Sequence, residues 1–407
     1  MGISNSKDRR ALVVGLGISG IATALRLRQI GWTPVVIERA PARRTGGYFI
    51  ALFGGGRPAA QRLGILDRLR DRVPDGGAYN IDRAGNRQLG LNYRDLPGSP
   101  WMMQRGDVEE AAFAALPDDV DIRFSTVPVC IEQDADGVDV TLTNTANDTS
   151  VTERFDLVVG ADGLRSTVRS LVFGLHRQYL HRLNYMAVAF QLPAPLSDLH
   201  PDDGATLVEP NRSLWLFPFD GGGPQTALLN YHTDDVDVEF TEKPVQRVRS
   251  AFGPEPTGRT LGEVLDALEG ADDLLFDSVE QVRMESWRRG RVVLVGDSAW
   301  CVSLYAGMGV SMGMSGADLL GTMLARHPDD VPHALADWEH TLHPHVEVFQ
   351  RNGIDQRAFF VPATTVELAL RKAMMLAMRI PPASSMLRRL RERDKAGRLK
   401  DTDIARA

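Results

Sequence analysis

The clearest chemical signal in the chain is carried by six residues, Gly15-Leu16-Gly17-Ile18-Ser19-Gly20. They stand between an apolar run, Ala11 to Val14, and a helical pattern, Ile21 to Gln29. Glycines at this spacing permit a tight turn, the close approach of a pyrophosphate, and tight packing of a helix on a strand. The helix start then offers free N–H groups and the positive end of its dipole to two phosphates. Glu38 stands 18 residues after Gly20, with Arg39 beside it, at the end of the next apolar run, Pro34 to Ile37. A carboxylate there can accept from ribose hydroxyls and would repel a 2′-phosphate. These residues imply a bound dinucleotide without separating FAD from NAD.

Two later motifs narrow the choice. Gly160-Ala161-Asp162-Gly163-Leu164-Arg165-Ser166 follows the apolar run Leu157 to Val159, and Gly296-Asp297-Ser298-Ala299 follows Val292 to Val295. With these three motifs in this order, the chain resembles the group A flavoprotein monooxygenases, the family of para-hydroxybenzoate hydroxylase and the tetracycline-inactivating monooxygenases. The resemblance extends over nearly the whole chain. It implies that Asp297 binds the ribitol or ribose on the flavin side, and that Asp162 and Gly163 serve FAD phosphate and nicotinamide cofactor, with Arg165 adding a permanent positive charge. It further implies that Arg105, in Gln104-Arg105-Gly106-Asp107, reaches the FAD, and that Arg44 matches a family arginine before the Gly46-Gly47 pair. Tyr305-Ala306-Gly307-Met308-Gly309-Val310 matches the family's loop under the isoalloxazine. The helix after it would face N1 and the C2 carbonyl, where negative charge collects on reduction. Leu304, Gly307, Met308 and Gly309 are therefore the catalytic-loop candidates. Leu304 replaces the usual proline, Met308 the usual glutamine, and Trp300 stands near the position of a common histidine.

The activity implied is that of an FAD-dependent monooxygenase, a hydroxylase or epoxidase of a hydrophobic small molecule, in antibiotic or secondary metabolism. FAD is held non-covalently, NADPH or NADH is a transient reductant, and oxygen is delivered from a C4a-hydroperoxide in a dry cleft. The alternative is an FAD-containing non-redox cyclase of polyketide-type substrates, motivated by the replaced loop residues. The nine histidines show no H-x-x-x-H or H-E-x-x-H spacing, so no metal is expected. No G-x-S-x-G supports nucleophilic hydrolysis.

These motifs need a scaffold, and the patterning supplies one: an α/β fold, an FAD-binding Rossmann-like domain of the glutathione reductase type. An inserted strand-rich α+β substrate domain and a C-terminal helical segment complete it. The expected divisions are 1–73, 101–177 and 286–333 for the discontinuous cofactor domain, 74–100 and 178–285 for the substrate domain, and 334–407 for the helical segment. Helices are expected over Ala59 to Leu69, over Arg105 to Leu116 with Asp107 as N-cap, and over Gly309 to Leu324, with a charged tail at the end. Tyr185, Phe190, Trp215, Phe217 and Phe219 could face a pocket, although strand alternation sends about half of them to the domain core.

Composition agrees with an enzyme of this kind. Hydrophobic residues at 43% and charged residues at 24% are ordinary for a globular chain, and a net charge of -7 gives no basic excess for nucleic acid. Two cysteines, Cys130 and Cys301, without ligand spacing suggest reduced thiols and a cytoplasmic location. There is no run of about 18 apolar residues. The apolar and basic stretch Leu368 to Leu390 is expected to pack on its own domain rather than on a membrane, and the chain to be a monomer or homodimer.

Overall fold

The computed structural model describes residues 9–43, 46–90, 100–378 and 395–406. Arg44 and the Pro381-Pro382 break lie outside these residues. The chain opens with β1 (Arg10–Val14), α1 (Ile18–Gln29) and β2 (Thr33–Ile37), then β3 (Phe49–Leu52) and α2 (Gly56–Arg62). Next come β4 (Ala78–Ile81), β5 (Arg87–Leu89), β6 (Trp101–Gln104), α3 (Arg105–Phe113), β7 (Asp121–Arg123), β8 (Thr126–Gln133), β9 (Val138–Asn144), β10 (Thr149–Phe155), β11 (Leu157–Gly160) and α4 (Thr167–Val172). The middle holds β12 (Leu180–Gln191), β13 (Gly204–Glu209), β14 (Arg212–Phe217), β15 (Thr226–His232), α5 (Val236–Glu239), α6 (Pro244–Phe252), α7 (Gly258–Glu269) and β16 (Leu274–Val282). The last elements are β17 (Arg288–Arg289), β18 (Val292–Leu294), α8 (Asp297–Trp300), α9 (Gly309–Arg326), α10 (Val331–Phe360), α11 (Thr365–Ala377) and α12 (Lys395–Leu399).

The apolar runs seen in the sequence meet in one sheet of order β17-β18-β11-β1-β2-β7. Ala11, Leu12 and Val13 of β1 are fully buried and pair in parallel register with Leu157, Val158 and Val159. Burial on both faces explains why β1 is continuously apolar rather than alternating. Because β1, β2, β11 and β18 are parallel, their carboxyl ends and the loops after them open toward the same edge. All three glycine motifs therefore sit together.

A seven-stranded sheet of order β16-β12-β15-β14-β13-β4-β5 forms the second layer system. Alternation divides its side chains. Phe190 packs with Phe252 and Leu265 against α6 and α7, whereas Tyr185, Trp215 and Phe217 face Tyr305 and Val361 on the other side. Phe219 is fully buried beyond the end of β14, with the Arg72 guanidinium 5.1 Å from its ring.

Several local expectations are corrected. Gln104, not Asp107, is the N-cap of α3, and Asp107 lies in the first turn, where it accepts from Arg72 at 2.8 Å. The helix expected over Ala59 to Leu69 stops at Arg62, because Gly64 takes a left-handed φ of 76° before a short 3-10 turn. Residues 395–406 are no free tail: the Lys400 carbonyl accepts from Gly55 N–H at 2.7 Å, and Ile404 is buried in the main core. The positions of helices α5, α6 and α7 within the strand-rich α+β segment were not anticipated. Amphipathic runs such as Leu261, Val264, Leu265 and Leu268 become core only where a sheet lies beneath them.

Candidate functional site

The three glycines of the first motif do three different things. Gly15 has φ 105°, and a Cβ there would stand 2.5 Å from the Ala161 carbonyl, so this turn lies against the second motif. A Cβ on Gly20 would come within 2.0 Å of the Gly15 carbonyl, which makes this contact the helix-to-turn packing point. Gly17 has nothing within 4 Å of its Cβ position and borders a cavity of about 610 Å³. Gly17 is also the N-cap of α1, and no side chain caps that helix. The first-turn N–H groups of α1 are thus left for a ligand.

The same cavity is bordered by Ile18, Ser19, Glu38, Arg39, Arg105, Asp162, Gly163, Arg165, Asp297, Leu304, Gly307, Gly309 and Val310. Glu38 closes the turn by accepting from Leu16 N–H and Ala40 N–H, both at 2.9 Å. Arg105 pairs with Glu109 at 2.7 Å; burial opposes its charge, but Tyr48, Glu109 and Asp297 outweigh that and raise its pKa. Asp162 accepts from Thr167 N–H at 2.6 Å and Val168 N–H at 3.1 Å through one oxygen, while its other oxygen is buried without a partner. Arg165 makes a bidentate pair with Asp277, at 2.8 and 2.6 Å.

Asp297 is exposed to the cavity; the protein walls around it push its carboxyl pKa up, with Cys301 and Arg105 pulling it down. The Cys301 thiol borders the same space, and burial together with Asp297 raises its pKa well above the ordinary value. Ser303 holds a φ of 78°, and Gly307 one of 66°, so the loop before α9 turns sharply. Helix α9 begins at Gly309 with no side-chain cap and nothing within 4 Å of the Gly309 Cβ position. Its N-terminus opens on the cavity.

Three predicted residues lie off the cavity wall. Gly20 packs as described, and Gly296 abuts Ser19, whose Oγ would be 2.3 Å from a Cβ there. The Met308 side chain is buried in the main core, off the cavity wall. Trp300 likewise points away, into Gly316, Trp287 and Trp338.

Sequence reasoning missed Arg43, Tyr48, Phe49, Thr226, Glu280 and Cys301, all on the cavity wall. Tyr48 and Phe49 directly follow the Gly46-Gly47 pair, and that adjacency was the available signal. Phe49 stacks on Phe217 with centroids 4.1 Å apart. With Ala187, Ala189, Leu228, Leu275, Val279 and Phe360 these rings make the sheet end of the cavity apolar.

An orphaned Asp162 oxygen, an uncapped α1, an uncapped α9 and three glycine positions open to one cavity, Gly17, Gly163 and Gly309, fit a long dinucleotide carrying a flat ring system. The site and sheet define a flavoprotein of the FAD-binding α/β class. The chain belongs to the FAD binding domain family, whose pattern matches residues 8–347. It is similar to a flavin-dependent monooxygenase from an unidentified prokaryote, 29% identical over 356 residues, covering 86% of this chain and 89% of the relative. It is also similar to the FAD-dependent monooxygenase asL4 of Sarocladium schorii, 29% identical over 338 residues, with 78% and 76% covered. Among solved structures, tetracycline destructase Tet(51) superimposes with a TM-score of 0.76 at 25% identity, covering 93% of this chain and 98% of that one. The chain is an FAD-dependent monooxygenase with the mixed α/β fold of the flavoprotein hydroxylases. No helix among the described residues is long and apolar enough to cross a membrane.

Proposed function

We propose that this monooxygenase hydroxylates or epoxidises a hydrophobic small molecule of aromatic or polyketide type, using NADPH or NADH as a transient reductant. The observation that carries this reading is a single cavity bordered by the Gly17 turn at one end and by the apolar face of the seven-stranded sheet at the other. Bound FAD supplies electron transfer from the nicotinamide and activation of O₂. Segments 1–73, 101–177 and 286–333 hold the cofactor, and 74–100 with 178–285 hold the substrate.

Gly17 and the start of α1 bind pyrophosphate, and Glu38 accepts from the adenosine ribose while keeping its turn closed. Asp297 and Arg105 hold the flavin-side chain, and Arg39, Asp162, Gly163 and Arg165 line the approach. The uncapped N–H groups at Gly309 and Val310 would hold a bound flavin and would favour negative charge on it without a side-chain acid. Phe49, Phe217, Leu228 and Val279 exclude water from the substrate. The likeness to tetracycline destructase Tet(51) supports a multi-ring substrate. The protein acts as a monomer or homodimer in the cytoplasm, in antibiotic or secondary metabolism.

The test is anaerobic stopped-flow absorbance of the FAD-loaded protein with NADPH or NADH, followed by O₂ and candidate substrates. Bleaching of the oxidised flavin band and a product heavier by one oxygen atom are expected. A flavin that stays oxidised with both reductants and every substrate tried would sink the redox reading in favour of the non-redox cyclase.

A further inference from the structure

Far from the cavity, the turn between α9 and α10 gathers two imidazoles and a carboxylate. His327 caps the C-terminus of α9, while His333 and Asp337 stand four residues apart on α10 and so share one face of it. The His327 Nε2 lies 2.9 Å from Asp337 Oδ2, and the His333 Nε2 lies 3.5 Å from the same oxygen. The two rings stack with centroids 4.3 Å apart, and the three potential ligand atoms lie within 4.8 Å of one another.

We propose that His327, His333 and Asp337 form a surface site for a first-row divalent cation, Zn²⁺ foremost, which ties the end of α9 to the start of α10. Ligands about 2.0–2.1 Å from a tetrahedral zinc are about 3.3–3.4 Å apart, and the two nitrogen–oxygen separations bracket that value. Two imidazoles and one carboxylate suit zinc, nickel or copper rather than magnesium or calcium, and the open positions face water.

A fourth residue borders the set. Asp330 caps α10 by accepting from His333 N–H at 3.0 Å, and its other oxygen stands 3.9 Å from His333 Nδ1. That separation is a charge contact rather than a hydrogen bond, and it adds negative charge beside the imidazole that favours a cation at the site. The sequence hides this arrangement because His327 and His333 are six residues apart with a helix boundary between them.

The 18 residues of α9 span about 27 Å, so the site is remote from the cavity, and its effect is on stability rather than on oxygen chemistry. The inference is independent of the monooxygenase reading. It is tested on the full-length, FAD-loaded protein, stripped with EDTA, desalted, and titrated with ZnCl₂ in a non-coordinating buffer by calorimetry and by thermal melting. One zinc per chain and a rise in Tm are expected. H333A, at a half-exposed position, loses both, and H340A, at an exposed position on the same helix, loses neither. D330N keeps the cap, since Asn caps as well as Asp, but removes a nearby negative charge and weakens zinc several-fold. Absence of heat and of a Tm shift in the parent protein overturns the site. So does zinc uptake left unchanged by both H333A and D337N, which would mark an adventitious ion only.

Discussion

Gly17 and Gly20 belong to one motif, yet the space around them assigns them different failures. Gly17→Ala adds a methyl where nothing lies within 4 Å, at a φ of -81° that alanine accepts. The chain should fold with unchanged Tm while FAD binding weakens about 100-fold, roughly 2.7 kcal/mol. Gly20→Ala places its methyl 2.0 Å from the Gly15 carbonyl and should cost about 1–3 kcal/mol of stability. Flavin fluorescence titration and urea unfolding of both variants check the pair; equal loss of stability would refute the division. Asp297 is exposed to the cavity, so its charge is open to solvent when FAD is absent. Asp297→Asn should therefore leave the stability of the FAD-free protein within about 0.5 kcal/mol of the parent, while weakening FAD by about 1.5–3 kcal/mol through loss of a charged hydrogen bond. Urea unfolding of FAD-free protein reads the first effect, and FAD titration reads the second.

Helix α9 ties the cavity to the rest of the molecule, and a buried carboxylate fixes its position. Asp318 is fully buried and meets Arg62 of α2 at 2.7 Å and Arg26 of α1 at 3.2 Å, while Arg62 also forks onto Asp403 at 2.8 and 2.6 Å. Burial pushes the Asp318 carboxyl up against the pull of both arginines, so the cluster depends on all its members. Asp318→Ala should cost about 2–3 kcal/mol, less than the ~3–5 usual for breaking a buried pair because Arg62 keeps Asp403. Chemical denaturation measures it, and a cost near zero would show that α9 is held by apolar packing alone. At this scale the sequence is informative where the code is local. The continuous apolar strands and the long α9 were legible from periodicity and glycine placement. Asp107 misled because a plausible cap residue was instead engaged by Arg72, 35 residues away in sequence. Arg43, on the cavity wall, was hidden for a similar reason: its orientation is set by Glu110 and by the Phe113 ring, 4.0 Å from its guanidinium.

The two ends of the cavity answer to different parts of the chain, and the substrate end is where the sequence had least to say. Alternation identified a set of aromatic residues, but only pairing β12, β15 and β14 in register decides that Phe217 faces the cavity and Phe190 faces α6 and α7. If the ends act separately, they can be damaged separately. Leu228 lies on the cavity face of β15, 5% exposed. Leu228→Trp should fill the substrate end at a cost of about 1–3 kcal/mol and leave the Gly17 turn untouched. A ligand that binds only the folded chain stabilises it by about 2.7 kcal/mol at 100 times its Kd. The variant should therefore keep this full gain on addition of FAD, still oxidise NAD(P)H, and form no oxygenated product. Gly17→Ala should lose the gain at the same FAD concentration. Unfolding curves with and without FAD, read beside product analysis, separate the two cases. If Leu228→Trp loses FAD as completely as Gly17→Ala does, the cofactor depends on the sheet face, and the cavity works as one site rather than two.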